Sequence, residues 1–311
     1  MRRVVLAAAF TLIAAPAFAQ TAVQASVDPH AGHAMAQQPA PVSQPAARNP
    51  SLPPTGDLPG DDKNAQAIAQ LKSSPRHGEW VDIKASSGAP IKSFVVYPER
   101  RDKAPVVIVI QEIFGLTDWI RGVADQLAKE GFIAIAPDFM SGMGPNKGGS
   151  AELGEQGSVA EIRKLTPADV TRILNDVRAY ALTIPAANGK TATIGFCWGG
   201  GASSMYALMQ PELNAAVAYY GGMPPDAAAF ANAKAPILGL YAANDNRVNA
   251  TLDLAKAELA KKNVPYEQHF FEGAGHGFLR QQNGTAQAPG NAKAAAEAWS
   301  LTLEFLRKHT K

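Results

Sequence analysis

Thr191-Ala192-Thr193-Ile194-Gly195-Phe196-Cys197-Trp198-Gly199-Gly200-Gly201 contains the only cysteine of the chain. A β-branched run ends in Gly-Phe-Cys-Trp-Gly. Small residues and then Met205-Tyr206-Ala207-Leu208-Met209 follow, which read as a helix. A strand turning sharply into a helix, with glycines two before and two after the central residue, has the form of a nucleophile elbow. The glycines let strand and helix pack close around a strained central residue. The helix dipole that begins at the thiol would favour the thiolate. The competing reading is a small buried hydrophobe, the common fate of an unpaired cysteine, so the decision falls to the rest of the chain.

Outward from this stretch the pattern is β-α alternation. Pro105-Val106-Val107-Ile108-Val109-Ile110 is a continuous apolar run, as expected of a strand covered on both faces. A helix is predicted over 117–130, ended by Gly131, and a strand over 132–136, stopped by Pro137-Asp138. A helix capped by Thr166 is predicted over 167–182. Strands follow over 215–220, 237–242 and 266–271, with helices over 252–262 and 291–309. Before this region come a helix through Leu71, capped by Asp61 or Asp62, and two strands at 79–84 and 92–97 around Ser86-Ser87-Gly88. The fold class is α/β, a mainly parallel sheet with helices on both faces, whose ligands bind at the carboxyl ends of the strands. Ser141–Ser158, with Gly142, Gly144, Gly148 and Gly149, is expected to be a glycine-rich loop forming a lid or pocket wall. No G-x-x-x-x-G-K-[ST] accompanies it, so a phosphate-binding loop is disfavoured.

The 311 residues are 46% hydrophobic, ample for a large core, and the formal net charge of +2 suggests no nucleic-acid footprint. One cysteine excludes an internal disulfide framework and a multi-cysteine zinc site. Arg2-Arg3, the apolar stretch from Val4 to Ala15 and Ala17-Phe18-Ala19 form a secretory signal over 1–19, too short to span a bilayer, with cleavage expected after Ala19. The mature protein is therefore expected in a bacterial periplasm or secreted, free of the membrane. Residues 20–60, rich in Ala, Pro and Gln, read as a disordered linker. His30, His33 and Met35 within it have copper-ligand chemistry, though solvated tail histidines are the preferred reading. Residues 61–311 form one domain.

A nucleophilic Cys197 needs a base, and the base an orienting group. Of the six histidines, His276 alone sits in a glycine-framed loop just past a strand, Gly273-Ala274-Gly275-His276-Gly277-Phe278. Asp245 follows the 237–242 strand directly, ahead of Asp226 and Asp253, which stand at no strand end. The order nucleophile, Asp, His matches that of α/β-hydrolases. Glu112, in Gln111-Glu112-Ile113-Phe114-Gly115, follows the 106–110 strand, where such enzymes build half of an oxyanion hole.

Together these residues resemble the dienelactone hydrolase (carboxymethylenebutenolidase) family of α/β-hydrolases. The resemblance runs from about Gly78 to the last helix. It rests on Gln111-Glu112-Ile113-Phe114-Gly115, Gly195-Phe196-Cys197-Trp198-Gly199-Gly200, Tyr219-Tyr220-Gly221, Asp245 and Gly275-His276-Gly277-Phe278-Leu279-Arg280. It implies Cys197 as nucleophile, His276 as acid/base, Asp245 as orienter, and Glu112 as a group that helps to generate the thiolate when substrate arrives. It further implies an oxyanion hole from the backbone N–H groups of Trp198 and Ile113, and a substrate carboxylate bound by Arg280 with Tyr219 beside it. A second carboxylate-binding arginine belongs between the 132–136 strand and the Pro167 helix. Arg163 is the arginine available there, although the surrounding glycine-rich stretch departs from the family pattern.

The expected function is hydrolysis of small carboxylate-bearing lactones or esters through a thioester, with no cofactor, no nucleic-acid partner and a monomer as the expected state. Two rivals share the fold. A non-catalytic carboxylate-binding module predicts a missing triad member, and none is missing. A redox-active thiol protein lacks a second cysteine to resolve a sulfenic acid.

Overall fold

Along the 104–110 strand, Val106, Ile108 and Ile110 point into one apolar cluster, and Val107 and Val109 into another on the opposite side. A computed structural model describes residues 66–282 and 288–311. The expected signal segment, the Pro-rich stretch with His30, His33 and Met35, and the expected caps at Asp61 or Asp62 lie outside the described residues. The strands are β1 (Gly78–Ile83), β2 (Ile91–Val96), β3 (Ala104–Ile110), β4 (Ile133–Pro137), β5 (Ala187–Phe196), β6 (Ala215–Tyr219), β7 (Ile237–Ala242) and β8 (Tyr266–Phe271). They form one sheet in the order β1-β2-β4-β3-β5-β6-β7-β8. The β1–β2 and β2–β4 pairs are antiparallel, and every pair from β4 to β8 is parallel.

Helices α1 (Gln66–Ser73), α2 (Asp118–Lys129) and α8 (Asn291–His309) cover the face carrying Val107 and Val109. Helices α4 (Pro167–Thr183), α5 (Trp198–Met209) and α7 (Leu252–Lys261) cover the other. The one-turn α6 (Asn246–Asn249) leads into α7. This is the α/β-hydrolase arrangement expected from the sequence. The local signals act where they were read. Thr166 caps α4 reciprocally, its Oγ1 accepting from the Asp169 N–H (3.2 Å) while Asp169 accepts from the Thr166 N–H (3.1 Å).

The Ser141–Ser158 expectation requires correction. Its second half is helical, as α3 (Ser150–Ile162), kinked at Gly154 with φ 65°. The glycines masked a helix whose start is fixed from outside. Asp138, buried at the end of β4, accepts from the Ser150 N–H (2.7 Å), the Ser150 hydroxyl (2.5 Å) and the Met140 N–H (2.9 Å). Carboxylate charge at a helix N-terminus is favourable. Ile162 then joins the core cluster, with Leu153 and Val159 packed against it. Ser150 Oγ also accepts from the Leu116 N–H (3.0 Å), which ties α3 to the loop after β3.

Hydrogen bonds to a charged group contribute roughly 1.5–3 kcal/mol each, with incomplete additivity. Asp138→Ala is expected to lower the urea unfolding free energy by about 3 kcal/mol and Ser150→Ala by about 1 kcal/mol. Equal effects of the two substitutions would contradict Asp138 as the anchor of α3.

Candidate active site

The chain leaves β3 to build β4 on one side, then crosses back to place β5 on the other. The carboxyl ends of β3 and β5 therefore flank a topological switch point, the crevice where open α/β sheets bind ligands. The register Ile110↔Gly195 sets the loop after β3 level with the elbow after β5. Cys197 itself has φ 55° and ψ −115°, a left-handed conformation costly for a side-chain-bearing residue. Close packing over-determines it. A Cβ on Gly195 would collide with the carbonyl of Gly199, and one on Gly199 with the carbonyls of Ile110 and Gln111. The Cys197 N–H is held by the Tyr219 carbonyl at 3.0 Å.

The structure brings Cys197, His276 and Asp245 together. His276 Nδ1 lies 2.6 Å from Asp245 Oδ2, and the Cys197 side chain is near enough to act on the imidazole. Burial alone would push the His276 pKa down. The hydrogen bond and charge of Asp245, with the neighbouring Cys197 side chain, outweigh it and raise the value to about 10. Burial works in the opposite sense on Asp245, but the bonds from His276 and the Val248 N–H (3.3 Å) leave its carboxyl below the usual range. The Asp245 turn is braced by Asn249, whose Nδ2 donates to the carbonyls of Ala242 (3.0 Å) and Ala243 (3.1 Å).

A second pair of charges lies close by. Arg280 Nε forms an ion pair with Glu112 Oε2 at 2.8 Å, both side chains largely buried. The guanidinium also sits over the Phe114 ring, 5.1 Å from its centroid. Trp198 begins α5, so its N–H faces the elbow without an intrahelical acceptor. Ile113 lies in the turn closed by a bridge between Glu112 and Gly115.

Two expected residues lie elsewhere. Tyr219 is fully buried beneath the sheet, its hydroxyl 2.7 Å from Thr302 Oγ1 on α8. Its neighbour Tyr220 takes the site position. With φ 40°, Tyr220 turns out of the strand and lays its ring edge-on to His276 at 5.0 Å. Its hydroxyl is buried with no hydrogen-bond partner among the described residues. Burial and then the Glu112 charge push its pKa well up, so it stays a neutral donor. Arg163 is an exposed residue capping the C-terminus of α3. The adjacent tyrosines in Tyr219-Tyr220-Gly221 held the signal for Tyr220, because consecutive residues at a strand end face opposite ways. Phe114 carried no signal of its own.

Residues 91–310 match the family model described as "Dienelactone hydrolase family". The chain belongs to the dienelactone hydrolase family. A relative from Escherichia coli (strain K12), named "Putative carboxymethylenebutenolidase", is 32% identical over 238 residues, covering 72% of this chain and 84% of the relative. A relative of the same name from Synechocystis sp. (strain ATCC 27184 / PCC 6803 / Kazusa) is 32% identical over 255 residues, covering 74% and 99%. The crystal structure of a protein from Klebsiella pneumoniae subsp. pneumoniae MGH 78578, described as "Putative Dienelactone Hydrolase", superposes with a TM-score of 0.65 at 26% identity, covering 75% of this chain and 99% of that one. The chain is thus a hydrolase of the dienelactone hydrolase family, with Glu112, Cys197, Tyr220, Asp245, His276 and Arg280 at the strand ends of the family fold.

In this family member His276 binds its proton more tightly folded, near 10, than at its ordinary value of 6.5. The stability it contributes is therefore complete below pH 6.5 and is lost as pH rises through about 10. Asp245→Asn removes the charged partner. The thermal melting difference between the parent protein and this variant is expected to be largest near pH 6 and to shrink above pH 10. A difference that is flat across that interval would contradict the pairing.

Proposed function

We propose that this chain hydrolyses lactone or ester bonds of small carboxylate-bearing molecules through a thioester on Cys197. The observation that carries the reading is Cys197 on a strained elbow at the switch point, beside a His276 that lies 2.6 Å from Asp245. The Cys197 sulfur attacks the carbonyl carbon, and the tetrahedral oxyanion takes the N–H groups of Trp198 and Ile113. An imidazolium His276 then protonates the leaving oxygen as the C–O bond breaks. The neutral imidazole next takes a proton from water, whose oxygen attacks the thioester, and the sulfur departs as thiolate.

Arg280 supplies the selectivity. A substrate carboxylate competes with Glu112 for the guanidinium, and a displaced Glu112 can take the thiol proton. Thiolate generation then follows substrate arrival. Tyr220 offers its neutral hydroxyl to the same pocket. The enzyme names of the relatives agree with a lactone or ester as the bond attacked.

A panel of enol-lactones and aryl esters, with and without a carboxylate, tests the reading. Cys197→Ala should abolish turnover of every member while leaving the circular dichroism spectrum unchanged. Arg280→Ala should lower kcat/KM for carboxylate-bearing substrates by about 100-fold and for neutral ones far less. Turnover surviving in Cys197→Ala sinks the nucleophile assignment. Equal losses on the two substrate classes in Arg280→Ala sink the carboxylate role.

We also propose export, supported by Arg2-Arg3, the apolar stretch from Val4 to Ala15 and Ala17-Phe18-Ala19. N-terminal sequencing of the exported protein should read Gln20 first; an intact Met1 in the processed fraction would exclude it.

A further inference from the structure

The loop that carries His276 has little stiffness of its own. It contains Gly273, Gly275 and Gly277, with φ 70° at Gly273 and 81° at Gly277. Yet it must hold His276 within 2.6 Å of a carboxylate on a different loop and Arg280 within 2.8 Å of Glu112 on a third. Phe278 and Leu279 seat its middle in the core, and the start of α8 ties its two ends. Asn291, the first residue of that helix, is 0% exposed. Its Oδ1 accepts from the Gly275 N–H at 2.9 Å, and its Nδ2 donates to the Gln281 carbonyl at 3.3 Å. Gly275 immediately precedes His276, and Gln281 immediately follows Arg280. The Gly290 N–H adds a backbone tie to the Gly273 carbonyl at 3.0 Å.

Nothing in the packing of α8 calls for an amide at this position. The helix otherwise buries Ala294, Ala295, Ala298, Trp299 and Leu303 among apolar neighbours. A buried carboxamide is costly unless both of its ends are paired. A carboxamide does present one acceptor and one donor in a single plane, which is what a bridge between an N–H and a carbonyl requires. The Asn291 side chain therefore has the chemistry of a staple across the 275–281 segment.

We infer that Asn291 is a positioning residue of the active site: its carboxamide fixes the two ends of the segment bearing His276 and Arg280, and so sets both pairs in one geometry. The inference rests on the reading of Cys197 and His276 as the reacting pair. It assigns Asn291 two separable actions, one on His276 through Gly275 and one on Arg280 through Gln281.

Two substitutions separate them. Asn291→Leu keeps the branched shape with slightly bulkier tips and removes both bonds. Asn291→Asp keeps an acceptor for Gly275 and loses the donor to Gln281. The readouts are steady-state kinetics on a neutral and a carboxylate-bearing aryl ester, and NMR titration of the His276 imidazole. Displacements of this kind cost about 10-fold to 100-fold in rate. Asn291→Leu is expected to lower kcat on the neutral ester by about tenfold or more, with KM within about threefold, and to move the His276 midpoint from about 10 toward 6.5. Asn291→Asp is expected to keep the His276 midpoint and most of kcat, while raising KM for the carboxylate-bearing ester by about fivefold.

A folded Asn291→Leu protein with the parent kcat and titration overturns the inference, as does an Asn291→Asp protein indistinguishable from it. Should Asn291→Leu fail to fold, Asn291→Asp decides alone, and an unchanged KM for the carboxylate-bearing ester overturns the inference. The titration needs no turnover, so a failed nucleophile assignment, read from Cys197→Ala, stays distinguishable from a failed role for Asn291.

Discussion

Backbone packing at the elbow is the constraint on which the site depends. Cys197 occupies a φ of 55° because β5 runs into α5 with no room for a gentler turn. Such a conformation costs on the order of 1–3 kcal/mol, and it persists only where the surroundings leave no alternative. Here the surroundings are main chain. Gly199 lies against the carbonyls of Ile110 and Gln111, and Gly200 against the Tyr219 carbonyl and Gly221. The contact that fixes the sulfur therefore also fixes the end of β3. Glu112 and Ile113 inherit their places from the same packing as Cys197, so the elbow and one side of its surroundings form a single packed unit.

The charges around that unit come in pairs drawn from different strand ends. Asp245 after β7 meets His276 after β8, and Glu112 after β3 meets Arg280. Each buried charge is compensated by a partner, as burial requires. The arrangement is self-neutralised at rest, and this bears on function. Glu112 and Arg280 are buried together, so the charge state of one bears on the other. Tyr220 stands among these groups as a neutral hydroxyl, feeling the charges of Glu112 and Arg280 together.

Much of this was legible in the sequence because the fold writes itself in simple periods. Continuous apolar runs gave the parallel strands, and α8 spans Asn291–His309 as its amphipathic pattern indicates. Asp245 and His276 could be chosen by position alone, since ligands collect where strands end. The readings that needed correction fail for local reasons. Tyr219 and Tyr220 are adjacent, and a step of one residue exchanges the α8 face for the site. Helix α3 was hidden by Gly154 and Gly157, and a contact that holds its start comes from a carboxylate twelve residues away. The contacts of Asn291 span ten and sixteen residues, a range at which residue type carries no periodic signal.

Helix α3 also changes how the stretch after β4 must be understood. A free loop there could move independently of the turn after β3. A helix joined through Ser150 to both Asp138 and the Leu116 N–H cannot do so. Leu116 is only three residues beyond Ile113, and Gly115 between them packs directly against Ser150 and Ser158. A shift of α3 therefore pulls on the turn that carries Ile113 and Glu112. Any rebuilding of α3 has to preserve the Asp138–Ser150 joint or move the turn that carries Glu112 and Ile113 along with it.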